Sequence, residues 1–571
     1  MGKEIRTQKL VTPFEEKNTI SWMSEHPKPL MKRDKWMSLC GEWELFVKNN
    51  KESFVGNVMV PFPPEARISK IERSLSSGEG YVYKKRFLLP ESFCHGRVIL
   101  HFGAVDAISE VFVNGSFVTR HEGGYTAFEC DITPFLTDGK NELWVYVKDE
   151  TDLDLCYGKQ SKKRGGMWYT PITGIWQSVW LECVPEEYIK KLKITPSLDA
   201  VTIQTEGGKA DKRVIIGDKE YSFSGDSINI KIENAVNWSP ENPYLYNFSI
   251  TDGEDRIESY FALRCVDIKD GYIRLNGKPY FFNGVLDQGY FSDGIYTPAS
   301  PEGFVYDILT MKKLGFNMLR KHIKIEHDLF YYYCDKYGMA VFQDAVNNGR
   351  YNYLLDTVLP TVGLKKAFDR VFSARQKEMF VKELTEAAEQ LYNHPSLCYW
   401  TIFNEGWGQF DADFLYEKMK ALDPTRVWDA TSGWFKKKKS DVVSEHVYFR
   451  KVKLKAKGEN PLVLSEFGGY SYKIAEHSYN LDKTYGYGKF ENKENFENAL
   501  EKLYCEGIIP SVKGGLCACV LTQLSDVEDE TNGLVTYDRC VVKVDEGRMQ
   551  QIAKKVYDAF SERVKNEKNQ D

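Results

Sequence analysis

The 571-residue chain is predicted to be multidomain: an N-terminal jelly-roll-like β-sandwich, an immunoglobulin-like β-sandwich, and a C-terminal (β/α)8 TIM barrel. Three observations lead there. The length exceeds what one hydrophobic core serves, because domains usually run to ~100–200 residues. Short alternating segments split by Gly, Asn and Pro fill the first half. After Asp270 the rhythm changes to apolar strand signals separated by helical ones.

The first region, placed at 1–185, contains "GEWELFV", "YVYKKRFLLP", "RVILHFGAV", "SEVFVNGSFV", "NELWVYV" and "QSVWLECV". Alternation over such lengths, with turn residues between, is the pattern of a sandwich. The second, 186–266, holds "KLKITPSL", "KRVIIGD", "SINIKI" and "LYNFSIT", enough for a small immunoglobulin-like sandwich. In the third, 267–571, eight apolar strands can be counted: "YFFNGVLDQG", "FNMLRKH", "MAVFQD", "LCYWTIFNE", "RVWDATSG", "SEHVYF", "LVLSEFGG" and "LCACVLTQLSD". Helices are expected from Ser300-Pro301-Glu302 to Gly315, from His327 to Tyr337 with Gly338 as C-cap, and from Ser373 to Tyr392. The fifth and sixth strands are joined by a short link without a helix. Eight strands in about 300 residues favour a closed barrel over an open sheet.

A net charge of −6 provides no basic field, so no nucleic-acid partner is expected, and the basic run Lys436 to Lys439 reads as a solvated loop. "MGKEIRTQKLVTPFEEK" lacks the apolar core of a leader, and no window reaches the ~18 apolar residues of a membrane span. A cytoplasmic protein without a membrane partner is the expectation. Twelve scattered cysteines without a CxxC pair read as buried free thiols and not as a zinc site; no required metal and no cofactor are expected.

A (β/α)8 barrel performs its chemistry at the C-terminal ends of its strands. Strand 4 ends at Asn404-Glu405 and strand 7 at Glu466. Two carboxylates facing each other over that mouth suit an acetal: one protonates the departing oxygen, and the other attacks the anomeric carbon. The acid must start protonated and the nucleophile must stay ionised, so cationic or hydroxyl donors are needed nearby. Arg320 at the end of strand 2, and His446 and Tyr448 on strand 6, are candidates. A single Glu behind an apolar strand is ordinarily a solvated loop residue. The contexts Asn-Glu-Gly-Trp and Ser-Glu-Phe-Gly-Gly separate this pair from that case.

These motifs resemble glycoside hydrolase family 2, the family of β-galactosidases, β-glucuronidases and β-mannosidases. "LCGEWELFV", "GAVDAISEVFVNG" and "GMWYTPITGIWQSVWLE" resemble its sugar-binding-like sandwich, "NWSPENPYLYNFSI" its middle domain, and "LNGKPYFFNGV" the entry to its barrel. The resemblance implies an exo-acting retaining glycosidase with Glu405 as general acid/base and Glu466 as nucleophile. It implies that Asn404 holds the sugar 2-hydroxyl, that Tyr448 and Arg320 support the nucleophile, and that His446 lines the sugar subsite. Asp344, ending strand 3, occupies a position where many members are acidic. Leu286-Asp287-Gln288-Gly289 departs from the common Asn-Arg-His-Glu, which makes Asp287 a candidate replacement, and His322 sits one position early relative to Arg-x-Ser-His. Trp407, Tyr290, Phe291 and Trp434 follow strand ends and are candidate sugar platforms.

The sugar is less determined. Asn-x-Lys, which β-glucuronidases use on the sugar carboxylate, occurs at Asn49-Asn50-Lys51, Asn276-Gly277-Lys278 and Asn566-Glu567-Lys568. Asp526, Glu528 and Asp529 after strand 8 would repel a uronate, which favours a neutral, β-galactoside-like substrate. A β-glucuronidase or arabinofuranosidase with the same mechanism is the alternative. A rival of another class is a non-catalytic carbohydrate-binding protein on the same scaffold. The first sandwich is read as a buttress for the barrel or for a homo-oligomer.

Overall fold

The computed structural model describes residues 6–15, 18–90, 93, 95–149, 152–209, 211–361, 371–436 and 438–569. Three large hydrophobic cores organise the described residues. The first sandwich packs a six-stranded antiparallel sheet on a four-stranded one. Its core is filled by the inward side of each alternating strand, for example Trp43, Leu45 and Val47, and Val111 and Val113. The second sandwich has sheets of three and four strands closed over Ile194, Val201, Val214, Phe248 and Ile257.

Eight parallel strands follow in one sheet. They are β1 (Phe282–Asp287), β2 (Met318–Lys321), β3 (Ala340–Asp344), β4 (Leu397–Asn404), β5 (Val427–Ser432), β6 (Val443–Val447), β7 (Leu462–Gly468) and β8 (Leu516–Thr522). The hydrogen-bonded order β5-β4-β3-β2-β1-β8-β7-β6 leaves the ring nearly closed, with no backbone ladder between β5 and β6 among the described residues. Side chains bridge that seam: Ser432 on β5 meets His446 on β6 at 2.8 Å, and the Asp441 carboxylate accepts from the Trp428 amide. β1, β4, β5, β7 and β8 are buried along their whole length, and for that reason they read as apolar runs and not as alternating strands.

The outer layer includes α1 (Glu302–Lys313), α2 (Asp328–Tyr337), α3 (Ala374–Gln390), α4 (Ala412–Leu422), α5 (Lys493–Leu503) and α6 (Glu546–Lys568). The capping signals were legible in part. Ser373 accepts a hydrogen bond from the Gln376 amide, and Gly338 closes α2 in the left-handed conformation. Ser300 does not cap α1: the helix starts behind Pro301, and the Ser300 hydroxyl is buried without a partner. The free-thiol expectation also needs correction, because Cys183 is disulfide-bonded while ten other cysteines are free. Sequence spacing does not reveal which Cβ atoms strand pairing brings together.

Both sandwiches are fastened to the barrel by tryptophans. In "GMWYTPITGIWQ", Trp176 is fully buried against Tyr296 and His327, and its indole donates to the Gly124 carbonyl. Truncating a ring of this size in a closed interface costs about 3–5 kcal/mol. Trp238 of "NWSPENPYLY" donates to the Asp335 carbonyl at the end of α2. Arg264 then pins the base of β4 by donating to the carbonyls of Pro395 and Leu397. The strand that presents Glu405 is therefore held from below by the second sandwich.

Candidate active site

β4 ends in a tight turn. Glu405 has φ +55°, its amide donates to the Ser432 carbonyl across the ladder, and Gly406 follows at φ +76°. A Cβ on Gly406 would lie 2.1 Å from the Phe435 ring, so only glycine fits. A left-handed Glu costs about 1–2 kcal/mol, a strain typical of functional sites. The turn sends the carboxylate to His446, whose Nδ1 stands 2.7 Å from Glu405 Oε1.

Glu466, ending β7, is held by a network with Arg320 at its centre. That guanidinium donates from Nη1 to Glu466 Oε1 (3.1 Å) and the Ser465 carbonyl (2.9 Å), from Nη2 to Asn404 Oδ1 (3.0 Å), and from Nε to Asp344 Oδ1 (3.0 Å). The other Asp344 oxygen meets His322 Nδ1 at 2.7 Å. Tyr448 donates its hydroxyl to Glu466 Oε2. Burial by itself would raise the Glu466 pKa, but His446, Arg320 and the Tyr448 hydrogen bond outweigh it and hold the group well below the usual carboxylate range. Burial also raises Tyr448, which keeps it a hydroxyl donor. It pushes His322 down to about 4 despite Asp344, so that imidazole is neutral. Asp344 would likewise be raised by burial, yet Arg320 and His322 keep it low.

One oxygen of Glu405, one of Glu466 and a ring nitrogen of His446 all lie within 4.8 Å of one another. The side chains are 12% and 7% exposed for Glu405 and Glu466, so both are reached from the mouth. These three groups, and separately His477, Asp538 and Cys540, are the described clusters able to converge on a metal. A cavity of about 340 Å³ lies elsewhere, between the sandwiches and α3, lined by His101, Trp180, Gln390 and Asn393, and it contains neither carboxylate.

Of the residues expected at the site, Asn404, Arg320, His322, Asp344, His446 and Tyr448 are brought together with the carboxylate pair. Asp287 is not free: Oδ2 accepts from Lys321 at 2.6 Å and Oδ1 from the Gly289 amide. Lys321 bridges it to Glu326, forming an internal ion cluster. Tyr290 and Phe291 are 1% exposed and packed among Tyr169, Tyr296 and Phe304, so they are loop packing. Trp407 is buried between Tyr157, Trp168 and Tyr351, and its indole donates to the Gly349 carbonyl. Trp434 sets its ring 5.4 Å from His446 and donates to the Asp356 carbonyl. Both support the wall of the mouth with little free face.

The acidic residues after β8 do not act as supposed. Asp526 is ion-paired to Lys543 (2.7 Å), Glu528 to Arg164 (3.2 Å), and Asp529 accepts from Asn480 (2.6 Å). Two of the three charges are paired within the fold, which weakens the premise for repelling an acidic sugar. The Asn-x-Lys segments lie away from the mouth: 49–51 in a sandwich turn, 276–278 before β1, and 566–568 at the end of α6, where Glu567 meets Tyr272.

What the sequence reading missed is a loop of the first sandwich, residues 155–170, which reaches into the mouth. The Tyr157 and Gly158 amides donate to the Asn347 carbonyl, Trp168 packs on Trp407, and Tyr169 donates to Glu530. Gly158 has φ +61°, and a Cβ there would stand 2.9 Å from the Ile323 carbonyl. The only sequence signal was the aromatic density of "GMWYTP", which had been assigned to sandwich strands. Glu530 was also missed; burial lifts it to about 7 against the hydrogen bond from Tyr169. Tyr487, after β7, sets its ring 4.3 Å from Tyr448.

The fold and this mouth define a (β/α)8-barrel protein with paired carboxylates on β4 and β7, preceded by two β-sandwiches that buttress it. The chain belongs to glycosyl hydrolases family 2: the family's sugar binding domain matches residues 28–185, a second family 2 domain 188–264, and its TIM barrel domain 266–471. A β-galactosidase of Aeromonas hydrophila is 28% identical over 408 residues, covering 65% of this chain and 37% of that protein. A β-galactosidase of Thermoanaerobacter pseudethanolicus is 26% identical, covering 60% and 46%. The chain thus spans less than half the length of these curated relatives. Among solved structures, a β-D-glucuronidase of Dictyoglomus thermophilum aligns with TM-score 0.74 at 20% identity, covering 93% of this chain and 98% of that one. A family 2 β-galacturonidase of Eisenbergiella tayi aligns with TM-score 0.67 at 19% identity, covering the same shares. At such identities the likeness concerns the fold.

Proposed function

We propose that the chain is an exo-acting, retaining β-glycosidase in which Glu405 is the acid/base and Glu466 the nucleophile. The observation that carries this reading is the carboxylate pair, with oxygens within 4.8 Å bridged by His446. Retaining enzymes hold their carboxyl groups ~5–5.5 Å apart, whereas inverting ones leave ~6.5–9.5 Å for a water. Glu466, kept ionised by Arg320 and Tyr448, attacks the anomeric carbon while Glu405 gives its proton to the leaving oxygen. The C–O bond to the aglycone breaks as the bond to Glu466 forms. Glu405 then takes a proton from water, which opens the glycosyl ester and regenerates both groups. Asn404, oriented by Arg320, is placed to donate its amide to the sugar 2-hydroxyl.

The names of the relatives support a β-linked pyranoside as substrate. The loop 155–170 and the segment after β8 close two sides of the mouth, which suits a terminal sugar over an internal one. The test is a panel of aryl β-galactosides, β-glucuronides, β-galacturonides, β-glucosides, β-mannosides and an α-arabinofuranoside, with the first-formed anomer followed by proton NMR. A β-anomer as first product from a β-glycoside, and loss of turnover in Glu466→Gln, are expected. An α-anomer, or substantial activity in Glu466→Gln, would overturn the assignment. A folded protein that binds sugar but hydrolyses none of the panel would make it a carbohydrate-binding protein on the family's scaffold.

A further inference from the structure

Lys159 stands out among the groups the mechanism leaves unused. It is 8% exposed, and among the described residues its ammonium has neither an ion-pair partner nor a hydrogen bond. The ammonium stands 5.9 Å from the centre of the Trp168 ring. The other enclosed lysines around the barrel mouth are neutralised: Lys321 by Asp287 and Glu326, Lys324 by Glu326, and Lys543 by Asp526. An ammonium this enclosed keeps only part of its hydration, and no carboxylate among the described residues stands within ion-pair distance of it.

The backbone around Lys159 is fixed. Gln160 donates to Asp106 Oδ2 (3.0 Å) and the Tyr125 hydroxyl (2.9 Å), and accepts from the Ile172 amide. The Tyr169 amide donates to the Lys159 carbonyl at 3.0 Å. On the preceding side, Gly158 lies against the β2–β3 wall at Ile323. Lys159 thus leaves a backbone set between Ile323, which follows His322 behind β2, and Tyr169, whose hydroxyl donates to Glu530 after β8. His322 is tied through Asp344 and Arg320 to Glu466, so the loop that carries Lys159 borders the chamber of the proposed nucleophile. Trp168 and Trp407 occupy the β4 side, beside Glu405.

We propose that Lys159, supplied by the first sandwich, is a specificity-determining residue that pairs with an oxyanion carried on the glycone, a carboxylate or a sulfate or phosphate ester. This rests on the glycosidase reading only for the word glycone; the anion site stands on the unpaired, enclosed cation. A neutral sugar offers hydroxyls and forms no ion pair with the ammonium. An anionic one supplies the missing partner in a low-dielectric pocket, where a charge-assisted hydrogen bond is strongest.

The experiment measures binding by calorimetry, independently of turnover. The 571-residue protein and its Lys159→Met and Lys159→Arg variants are titrated with glucuronate, galacturonate, galactose 6-sulfate and galactose 6-phosphate, and with the neutral parents glucose and galactose. At least one anion is expected to bind the unaltered protein about tenfold or more tighter than its parent, a factor of ten being ~1.4 kcal/mol. That ratio should collapse to near one in Lys159→Met and survive in Lys159→Arg. The arms identify which oxyanion is taken. A merely structural lysine would weaken anion and parent alike and leave the ratio unchanged. A ratio preserved in Lys159→Met, a neutral parent preferred over every anion, or no measurable anion binding overturns the inference. Anion binding that depends on Lys159 without hydrolysis of any aryl glycoside would instead overturn the glycosidase reading and leave this one standing.

Discussion

His446 joins the two carboxylates of the mouth: Nδ1 stands 2.7 Å from Glu405 Oε1, while Nε2 lies 2.8 Å from Ser432 Oγ and 3.6 Å from Glu466 Oε1. The ring spans the β5–β6 seam, where no backbone ladder among the described residues fixes the two strands. Its orientation therefore rests on Ser432, itself tied to Ser465. Replacing Ser432 by Ala should free the ring and lower kcat/KM on an aryl glycoside about tenfold, and His446→Ala about a hundredfold, in keeping with losses from misplaced catalytic groups. Both variants should keep Tm within a few degrees. Wild-type kcat/KM in either would remove His446 from the mechanism.

Glu405 and Glu466 should differ in how their loss depends on the leaving group. Protonation by Glu405 matters only where the departing oxygen is basic, so Glu405→Ala should retain far more activity on a dinitrophenyl glycoside than on an alkyl glycoside. Glu466→Ala should be inactive on both, because the attacking atom is gone. A plot of log kcat/KM against leaving-group pKa for Glu405→Ala decides the matter. A slope no steeper than that of the unaltered protein would refute the acid role.

The barrel was legible because its strands are buried on both faces: runs such as Leu397–Asn404 are apolar throughout and end in polar residues. Catalytic candidates at those ends followed from strand counting, since period and burial are local properties. Contacts between distant segments were not legible. Asp287 looked like a sugar ligand because its partner Lys321 lies on the next strand, and Asp526, Glu528 and Asp529 looked like a repulsive cluster because Lys543, Arg164 and Asn480 come from other segments. Lys159 is the reverse case: it sits in a sandwich loop that only the tertiary fold brings against Ile323 and, through Tyr169, against Glu530.

Glu466 sets an acid limit on stability. Burial pushes its pKa up, but His446, Arg320 and Tyr448 more than compensate and hold it below its ordinary 4.5. A depressed carboxylate contributes stability that is present above the unfolded value and lost as pH falls through the folded one. The Tm difference between the unaltered chain and Glu466→Gln should thus be constant from pH 6 to 8 and shift against the unaltered chain as pH drops below about 4.5. Thermal scans across that range measure it. A difference that stays flat down to the acid end would mean that Glu466 is not held ionised.

Glu383, on α3, works in the opposite sense and bears on the loop that carries Lys159. It is 3% exposed; Oε1 accepts from the Cys156 amide, and Oε2 is buried without a partner. Burial lifts its pKa from 4.5 to about 7, against the nearby Lys382. A raised carboxylate gives stability that is complete below the unfolded value and disappears as pH rises through the folded one, up to about 3 kcal/mol for a shift of this size. Between pH 5 and 8 the unaltered protein should lose stability that Glu383→Gln keeps. Because the ionised oxygen faces residues 155–170, the loss should appear first as faster amide exchange in that loop, with β4 and β7 still protected. Equal pH dependence of loop exchange in both proteins would show that Glu383 does not govern how firmly the sandwich loop closes the mouth.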